Sequence, residues 1–323
     1  MAAVDMHASR WCAIGLWLCY SMALWAGETV VRSPQDWLKA MTEAMQKRDY
    51  QATVVYSHDN RIRTLALTHV IRDGVVYEVL QALDGVQRKV VRAADKVSCY
   101  FPDRGLVVVE TRPQEQSLFN SALPRYWEGQ DAIYRFRLGE RDRAAGREAQ
   151  EIMIEPLDRY RYGRRIWVDV DTFLPLKFEL FDRQGKVMES LVVTDLKIGE
   201  AVKFVPEESD PRRWQVLDRR EEGADRRWQI GRLPEGFHEV RRSRHLDLTD
   251  GRPVDHILIS DGWASVSVYV KPDGDKEFDP GSFRLGAVNL YSRRLDGHLI
   301  TVLGDVPAET VRLIGEGVHQ SRP

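Results

Sequence analysis

Between Tyr50 and Phe101 the chain reads YQATVVYSHDNRIRTLALTHVIRDGVVYEVLQALDGVQRKVVRAADKVSCYF. Polar breaks at Ser57 to Asn60, Arg72 to Gly74, Asp84-Gly85 and Ala93 to Asp95 divide it into short runs of β-branched and aromatic residues. That is the pattern of antiparallel strands joined by hairpins, so the stretch predicts one large sheet. In the run Val75 to Leu83, one face would carry Val75, Tyr77, Val79 and Leu83, and the other Val76, Leu80 and Ala82. A half-solvated sheet alternates apolar with polar, so a doubly apolar one needs cover on both faces from a helix, another domain or a ligand.

The pattern changes period on either side. Before the sheet, Trp37, Leu38, Met41, Ala44 and Met45 fall on one helical stripe, with Ser33 placed to cap, Pro34 in the first turn and Asp36 as an acidic capping partner. After it, strands are expected at Leu106 to Val109, Ile133 to Leu138, Ala149 to Glu155 and Tyr162 to Val170, then a hairpin of Leu176 to Phe181 with Val187 to Leu196. An irregular stretch from Arg112 to Gln130 interrupts them. Its Phe119, Tyr126 and Trp127 are candidate lid residues over a cavity, or a plug that packs one end of the sheet.

From Glu207 to Arg227 charges of both signs crowd out apolar residues, which reads as a linker on which Trp214, Val216 and Leu217 can dock. Beyond it, His256 to Ser260 and Ala264 to Val270, then Val288 to Arg293 and Leu299 to Leu303, form a smaller sheet. Pro307 to Val318 closes the chain as a helix. The fold expected is therefore α+β and mostly antiparallel β: an N-terminal half-open barrel closed by a helix, then a smaller C-terminal sheet with a terminal helix. The boundaries expected are 1–26, 27–206, 207–227 and 228–323.

Composition narrows the function classes. With a formal charge of -2 the chain lacks the cationic surplus that phosphate backbones require, so nucleic acid is not its partner. The cluster Arg241-Arg242-Ser243-Arg244-His245 reads as a solvated strand edge. Residues 1–26 have a short apolar core after Arg10 and small residues at Ala23 and Ala26, which predicts a cleaved signal peptide and export. Cys12 and Cys19 leave with it, so Cys99 remains as a structural thiol and no internal disulfide is expected.

Motifs for phosphate binding, serine nucleophiles or zinc are absent from the sequence, so no catalytic residue, metal or cofactor is assigned. Asp169 and Asp171 share a strand face and are the basis for an enzymatic reading. Their place before Thr172 to Pro175 fits a strand entering a tight turn better.

Five segments resemble one family in order along the chain: LDGVQRKVVRAADKVSCYFPD from Leu83, IWVDVDTFLPLKFELFDRQGKVME from Ile166, LPEGFHEVRR from Leu233, ISDGWASVSVYV from Ile259 and ITVLGDVPAETVRLIGEGV from Ile300. The chain is similar there to the RseB/MucB regulators of the envelope-stress sigma factor. The resemblance implies a periplasmic negative regulator whose N-terminal domain is similar to lipoprotein carriers and whose C-terminal domain grips the periplasmic part of a transmembrane anti-sigma factor. Such a protein shields that partner from proteolysis, and a lipid or lipopolysaccharide fragment in the N-terminal cavity triggers release. A lipid or lipoprotein carrier is the alternative. Candidate cavity residues are Val54, Tyr56, Leu65, Leu67, Tyr77, Val79 and Phe101, and candidate partner-binding aromatics are Trp263, Tyr269 and Tyr291. Which sheet face is concave, and whether the chain forms a homo-oligomer, are left open.

Overall fold

A computed structural model of the chain describes residues 32–111, 129–204, 214–219, 226–247, 251–274 and 280–321. Residues 1–26 expected as a signal peptide, most of the expected linker and the lid candidates Phe119, Tyr126 and Trp127 lie outside the described residues.

Helix α1 (Pro34–Lys47) begins where its sequence dictates. The Ser33 hydroxyl accepts the Asp36 amide at 3.1 Å, and the Asp36 carboxylate accepts the Ser33 N–H at 3.0 Å. This capping box satisfies two of the orphan amides of the first turn. The stripe Trp37, Leu38, Met41, Ala44 and Met45 is buried as a unit.

The strands that follow are β1 (Tyr50–His58), β2 (Arg61–Arg72), β3 (Val75–Ala82), β4 (Lys89–Ala93), β5 (Lys96–Phe101) and β6 (Leu106–Thr111). Then come β7 (Tyr134–Ala144), β8 (Arg147–Pro156), β9 (Gly163–Asp169), β10 (Pro175–Phe181), β11 (Val187–Ile198) and β12 (Gln215–Arg219). They make one twelve-stranded sheet in the order β12-β6-β5-β4-β3-β2-β1-β11-β10-β9-β8-β7. All neighbours are antiparallel except β12, which runs parallel to β6. Its end strands, β12 and β7, do not pair with each other, so among the described residues the sheet is open. The half-open barrel expected from the sequence is corrected to an open sheet whose end strands are β12 and β7 among the described residues. Part of the expected linker is β12 itself.

Helix α1 packs against Ile152 and Ile154 of β8, Ile166 and Val168 of β9, and Leu174. The opposite face of the sheet has its own cover: Phe204 lies 5.5 Å from the Tyr77 ring, and Trp214 meets Tyr100 edge-on at 5.1 Å. The second apolar face is thus covered in part by the chain that leaves β11.

A second sheet contains β14 (His238–Leu246), β15 (Pro253–Ser260), β16 (Ser265–Pro272), β17 (Gly281–Leu285), β18 (Val288–Leu295) and β19 (His298–Gly304), while β13 (Trp228–Ile230) pairs with β20 (Val318–Gln320). The order is β14-β15-β16-β19-β18-β17, which places the basic run Arg241 to His245 on an edge strand, as its charge predicts. Helix α2 (Ala308–Gly317) lays Val311 and Ile314 on Val266, Val268, Ile300 and Val302.

Candidate functional site

The large sheet and α1 enclose a cavity of about 320 Å³. Its floor is the inward row of β1, Tyr50, Ala52, Val54 and Tyr56. Leu65 and Leu67 of β2 continue it sideways because they pair with Val54 and Ala52. Leu191 and Val193 of β11 complete the other side, opposite Tyr56 and Val54. Met41 and Met45 of α1, with Ile166 and Phe178, close it from above. The six steps along β1 from Tyr50 to Tyr56, at about 3.3 Å each, make the trough roughly 20 Å long. That is the reach of one extended acyl chain.

Four of the seven expected cavity residues, Val54, Tyr56, Leu65 and Leu67, line this space. Tyr77 and Val79 do not: Leu67 pairs with Leu80 and Leu65 with Ala82, so the cavity row of β3 is Glu78, Leu80 and Ala82. With period 2 a choice of the wrong parity moves every residue to the other face. Phe101 is on the cavity side, through the pairs Leu80 with Val90 and Val90 with Cys99, but lies two strands away, under the Arg88 guanidinium at 4.8 Å. Cys99 forms no disulfide among the described residues and is partly buried.

The lining is mostly apolar, with Glu189, Ser190, Lys177 and the two tyrosines as its polar residues. Glu189 alternates with Leu191 and Val193 on β11, so its side chain shares their face, at the Tyr56 end of the trough. Burial, and then Glu189, push the Tyr56 hydroxyl above the usual tyrosine range, so it remains a donor. Lys177 also borders the space, but its ammonium sits 4.1 Å over the Trp167 ring and 2.7 Å from Glu179.

Among the contacts that bind the sheets to each other are two joints built on carboxylates, beside the Arg164–Asp305 pair and the Asn289–Tyr162 hydrogen bond. At the first, Asp261 carries no exposed side-chain surface. Its Oδ1 accepts the amides of Trp263 and Ala264 at 2.9 and 2.8 Å. Its Oδ2 accepts the Tyr134 hydroxyl at 2.8 Å and the Arg161 Nε–H. Arg161, equally buried, also donates to Asp158 and to the Glu235 carbonyl and lies 4.5 Å over Phe237. Burial, and then the Asp261 charge, hold the Tyr134 hydroxyl well above its ordinary range. Trp263, 2 % exposed, inserts beside Tyr134 and Phe136 and joins the core under α1, although its indole N–H finds no acceptor.

The second joint is at the cavity mouth, where the turn between β17 and β18 meets β1 and β11. Asp59 accepts the Gly286 amide, and Glu189 Oε1 accepts the Ala287 amide at 3.2 Å. Gly286 has φ of +63°, and a Cβ there would lie 3.1 Å from His58 Nδ1 and 3.2 Å from Glu189 Oε1. Only glycine suits both the backbone and the space.

The expected partner-binding aromatics separate. Trp263 is consumed by the first joint. Tyr291 faces α2, where a Cβ on Gly315 would come within 2.5 Å of its ring. Tyr269 is on the other face of the smaller sheet, stacked on His256 at 4.4 Å, beside a second hollow lined by His245, Asp247, Lys271 and Thr301. Asp169 is a turn residue: its Oδ1 accepts the amides of Asp171 and Thr172 at 2.9 and 3.1 Å, and its Oδ2 binds Arg147. Sequence reasoning missed Arg161, Asp261 and Glu189. Only the last two left a trace, as Asp-Gly-Trp in a turn and as an acid in line with Leu191 and Val193 on β11.

Comparison with known proteins places this architecture. The family model for the MucB/RseB N-terminal domain matches residues 33–215, and that for the MucB/RseB C-terminal domain matches residues 222–319. The sigma factor AlgU regulatory protein MucB of Pseudomonas aeruginosa is 28% identical over 301 residues, 90% of this chain and 92% of that protein. The sigma-E factor regulatory protein RseB of Haemophilus influenzae is 25% identical over 289 residues, 88% of this chain and 91% of that protein. The solved structure described as the complex of Pseudomonas aeruginosa MucA/MucB superposes with a TM-score of 0.70 at 26% identity, covering 90% of this chain and 99% of that one. A crystal structure described as MucB in complex with MucA(peri) gives a TM-score of 0.67 at 26% identity, over 90% of this chain and 100% of that one. With both family models matched in order over nearly all of residues 33–319, this chain belongs to the MucB/RseB family.

Proposed function

We propose that this protein is a periplasmic negative regulator of an extracytoplasmic sigma-factor pathway. It binds the periplasmic domain of a transmembrane anti-sigma factor, shields it from proteolysis, and releases it when a lipid or lipopolysaccharide fragment enters the cavity between α1 and the large sheet. Residues 27–206 form the sensing part, and residues 228–323 the part that grips the partner. Export follows from the segment 1–26.

The observation that carries this reading is an apolar cavity whose mouth is held by a turn of the smaller sheet, in a chain whose family includes named sigma-factor regulators. Each methylene of an acyl chain gains about 0.8 kcal/mol on burial, whereas couplings between sites need only about 1–3 kcal/mol. Filling the trough therefore provides more than enough free energy to shift a partner off.

The test is capture of the periplasmic segment of the anti-sigma factor from the same organism by the full chain, with protease added in a second arm. Binding with protection, lost on adding lipopolysaccharide, is expected; no capture overturns the reading. The same cavity also supports a lipid carrier as a second reading. A carrier delivers its lipid to acceptor vesicles in a transfer assay, whereas a sensor loses its protein partner and transfers nothing.

A further inference from the structure

Resting on the lipid reading of the cavity, we infer that the end of the large sheet around the cavity mouth is a membrane-docking surface, fitted to a bilayer with anionic headgroups.

The sheet has two unlike ends. His58 pairs with Arg61 of β2 and with Glu189 of β11, so the β1–β2 turn lies beside the β10–β11 turn. The β3–β4 connection comes to the same end, since the Leu83 amide donates to the Thr64 carbonyl at 2.9 Å and Arg63 reaches Asp84 at 3.5 Å. Ile62, Leu83, Val86 and Val187 are exposed there, Ile62 to 65 % and Val86 to 59 %. Leu285, also exposed, joins them from the smaller sheet, next to the Gly286 amide that Asp59 holds. The opposite end, with turns at Asp73-Gly74 and Ala94-Asp95, has no exposed large apolar side chain among the described residues. Single exposed apolar residues are ordinary, but a group of them gathered on the connections at one end marks a contact surface.

Charge selects what it contacts. The acids of this end are occupied. Asp182 accepts the amides of Gln184 and Lys186 at 3.0 and 2.9 Å, Asp84 accepts that of Thr64 at 2.6 Å, and Asp103 pairs with Arg88. Asp59 and Glu189 hold the amides of Gly286 and Ala287. Arg61, Arg183 and Lys186 are exposed and pair with no carboxylate among the described residues. Apolar side chains beside exposed cations fit the boundary of an anionic bilayer, where the first enter the acyl region and the second meet phosphate. A lipid with several chains has almost no free monomer, because every buried methylene holds it in its aggregate. A mouth that rests on the lipid surface takes up a chain without carrying it through water.

The test is co-flotation of the full chain with vesicles of phosphatidylglycerol and phosphatidylethanolamine in equal parts, against vesicles of phosphatidylcholine. Flotation with the anionic vesicles alone, weakened by salt, is expected. Each cation near an anionic surface strengthens attachment about fivefold, so Arg183→Glu with Lys186→Glu should weaken it at least about 25-fold. Ile62→Glu with Val86→Glu should abolish it, while Val240→Glu, at an exposed site of β14, should leave it unchanged. In the unmodified protein, vesicles should slow hydrogen exchange at 59–63, 83–88 and 182–187 but not at 73–74 or 94–95, which tests the placement even if a variant fails to fold. No flotation, equal flotation with neutral vesicles, or protection at the opposite end overturns the inference. Loss of self-association in Ile62→Glu with Val86→Glu, in place of loss of flotation, assigns the surface to a second copy and overturns it too. Dispersed lipopolysaccharide bound by protein that does not float keeps the cavity reading, and its failure to bind overturns that reading whether or not the protein floats.

Discussion

The two joints between the sheets use similar residues to different ends. At Asp261, both carboxylate oxygens and each nitrogen of the Arg161 guanidinium are hydrogen-bonded, and neither side chain touches solvent. At Glu189 and Asp59, two half-buried or exposed carboxylates each hold one backbone amide at the rim of a cavity. Burying a charge costs several kcal/mol unless every polar atom finds a partner, so the first joint is stable only in one arrangement. The second loses little when water or a ligand replaces an amide, because its charges are never fully desolvated. The comparison teaches that a fixed pivot and an exchangeable latch can be built from the same chemistry by burial alone.

The largest effect should come from breaking the pivot. Asp261→Ala leaves Arg161 buried with Asp158 as its remaining counter-charge, and the Tyr134 hydroxyl without its acceptor, and should cost about 3–5 kcal/mol, read as a lower urea midpoint. The double variant with Arg161→Met and Asp261→Leu should recover most of that loss. If Asp261→Ala shifts the midpoint no more than a surface substitution does, the pivot description is wrong.

The latch should be weaker. Gly286→Ala places a Cβ against His58 and Glu189 at a left-handed φ and should cost roughly 1–2 kcal/mol. It should also speed hydrogen exchange at the turn more than in the core of the smaller sheet. Uniform protection across both would contradict a local latch. Glu189→Gln should cost only about 0.5–1.5 kcal/mol, since one modest hydrogen bond is altered. A loss as large as that of Asp261→Ala would make the two joints equivalent.

The smallest effect concerns acid and separates joint from turn. Burial opposes ionisation of Asp169, but Arg147 and the amides of Asp171 and Thr172 outweigh it and hold its pKa below 3.8. The folded protein therefore binds this proton less readily than the unfolded chain. The stability it contributes is present above about pH 4 and is lost as pH falls through the lowered value. Asp169→Asn should flatten that part of the acid limb in stability curves measured between pH 5 and pH 2, without moving the two joints.

Much of the fold was legible because periodicity is local. The capping box at Ser33, the stripe from Trp37 to Met45 and the hairpin around Asp182 to Gly185 need only neighbours in sequence to be recognised. The cavity residues on β1 and β2 were legible too, since their alternation is unambiguous. Tyr77 and Val79 were assigned to the wrong face because β3 is apolar on both sides, and parity there is set by the pairing of Leu67 with Leu80. The barrel expectation failed for a related reason: strand count does not say whether β7 meets β12. Trp263 and Tyr291 fitted a partner surface and a core equally well in sequence, and each packs against a part of the chain that the sequence places elsewhere.

By itself, then, the sequence determined the elements and their β-rich class, which follow from residue type at short spacing, and the family, which five segments in order along the chain resemble. Only the tertiary structure decided which face of the sheet is concave and that Glu189 lies at the cavity mouth. It also brought Asp261 to Arg161 across 100 residues. Those are matters of register and of which buried charge finds which partner. Register is fixed by pairing between strands and buried charge by long-range saturation, and neither leaves a periodic mark on the chain.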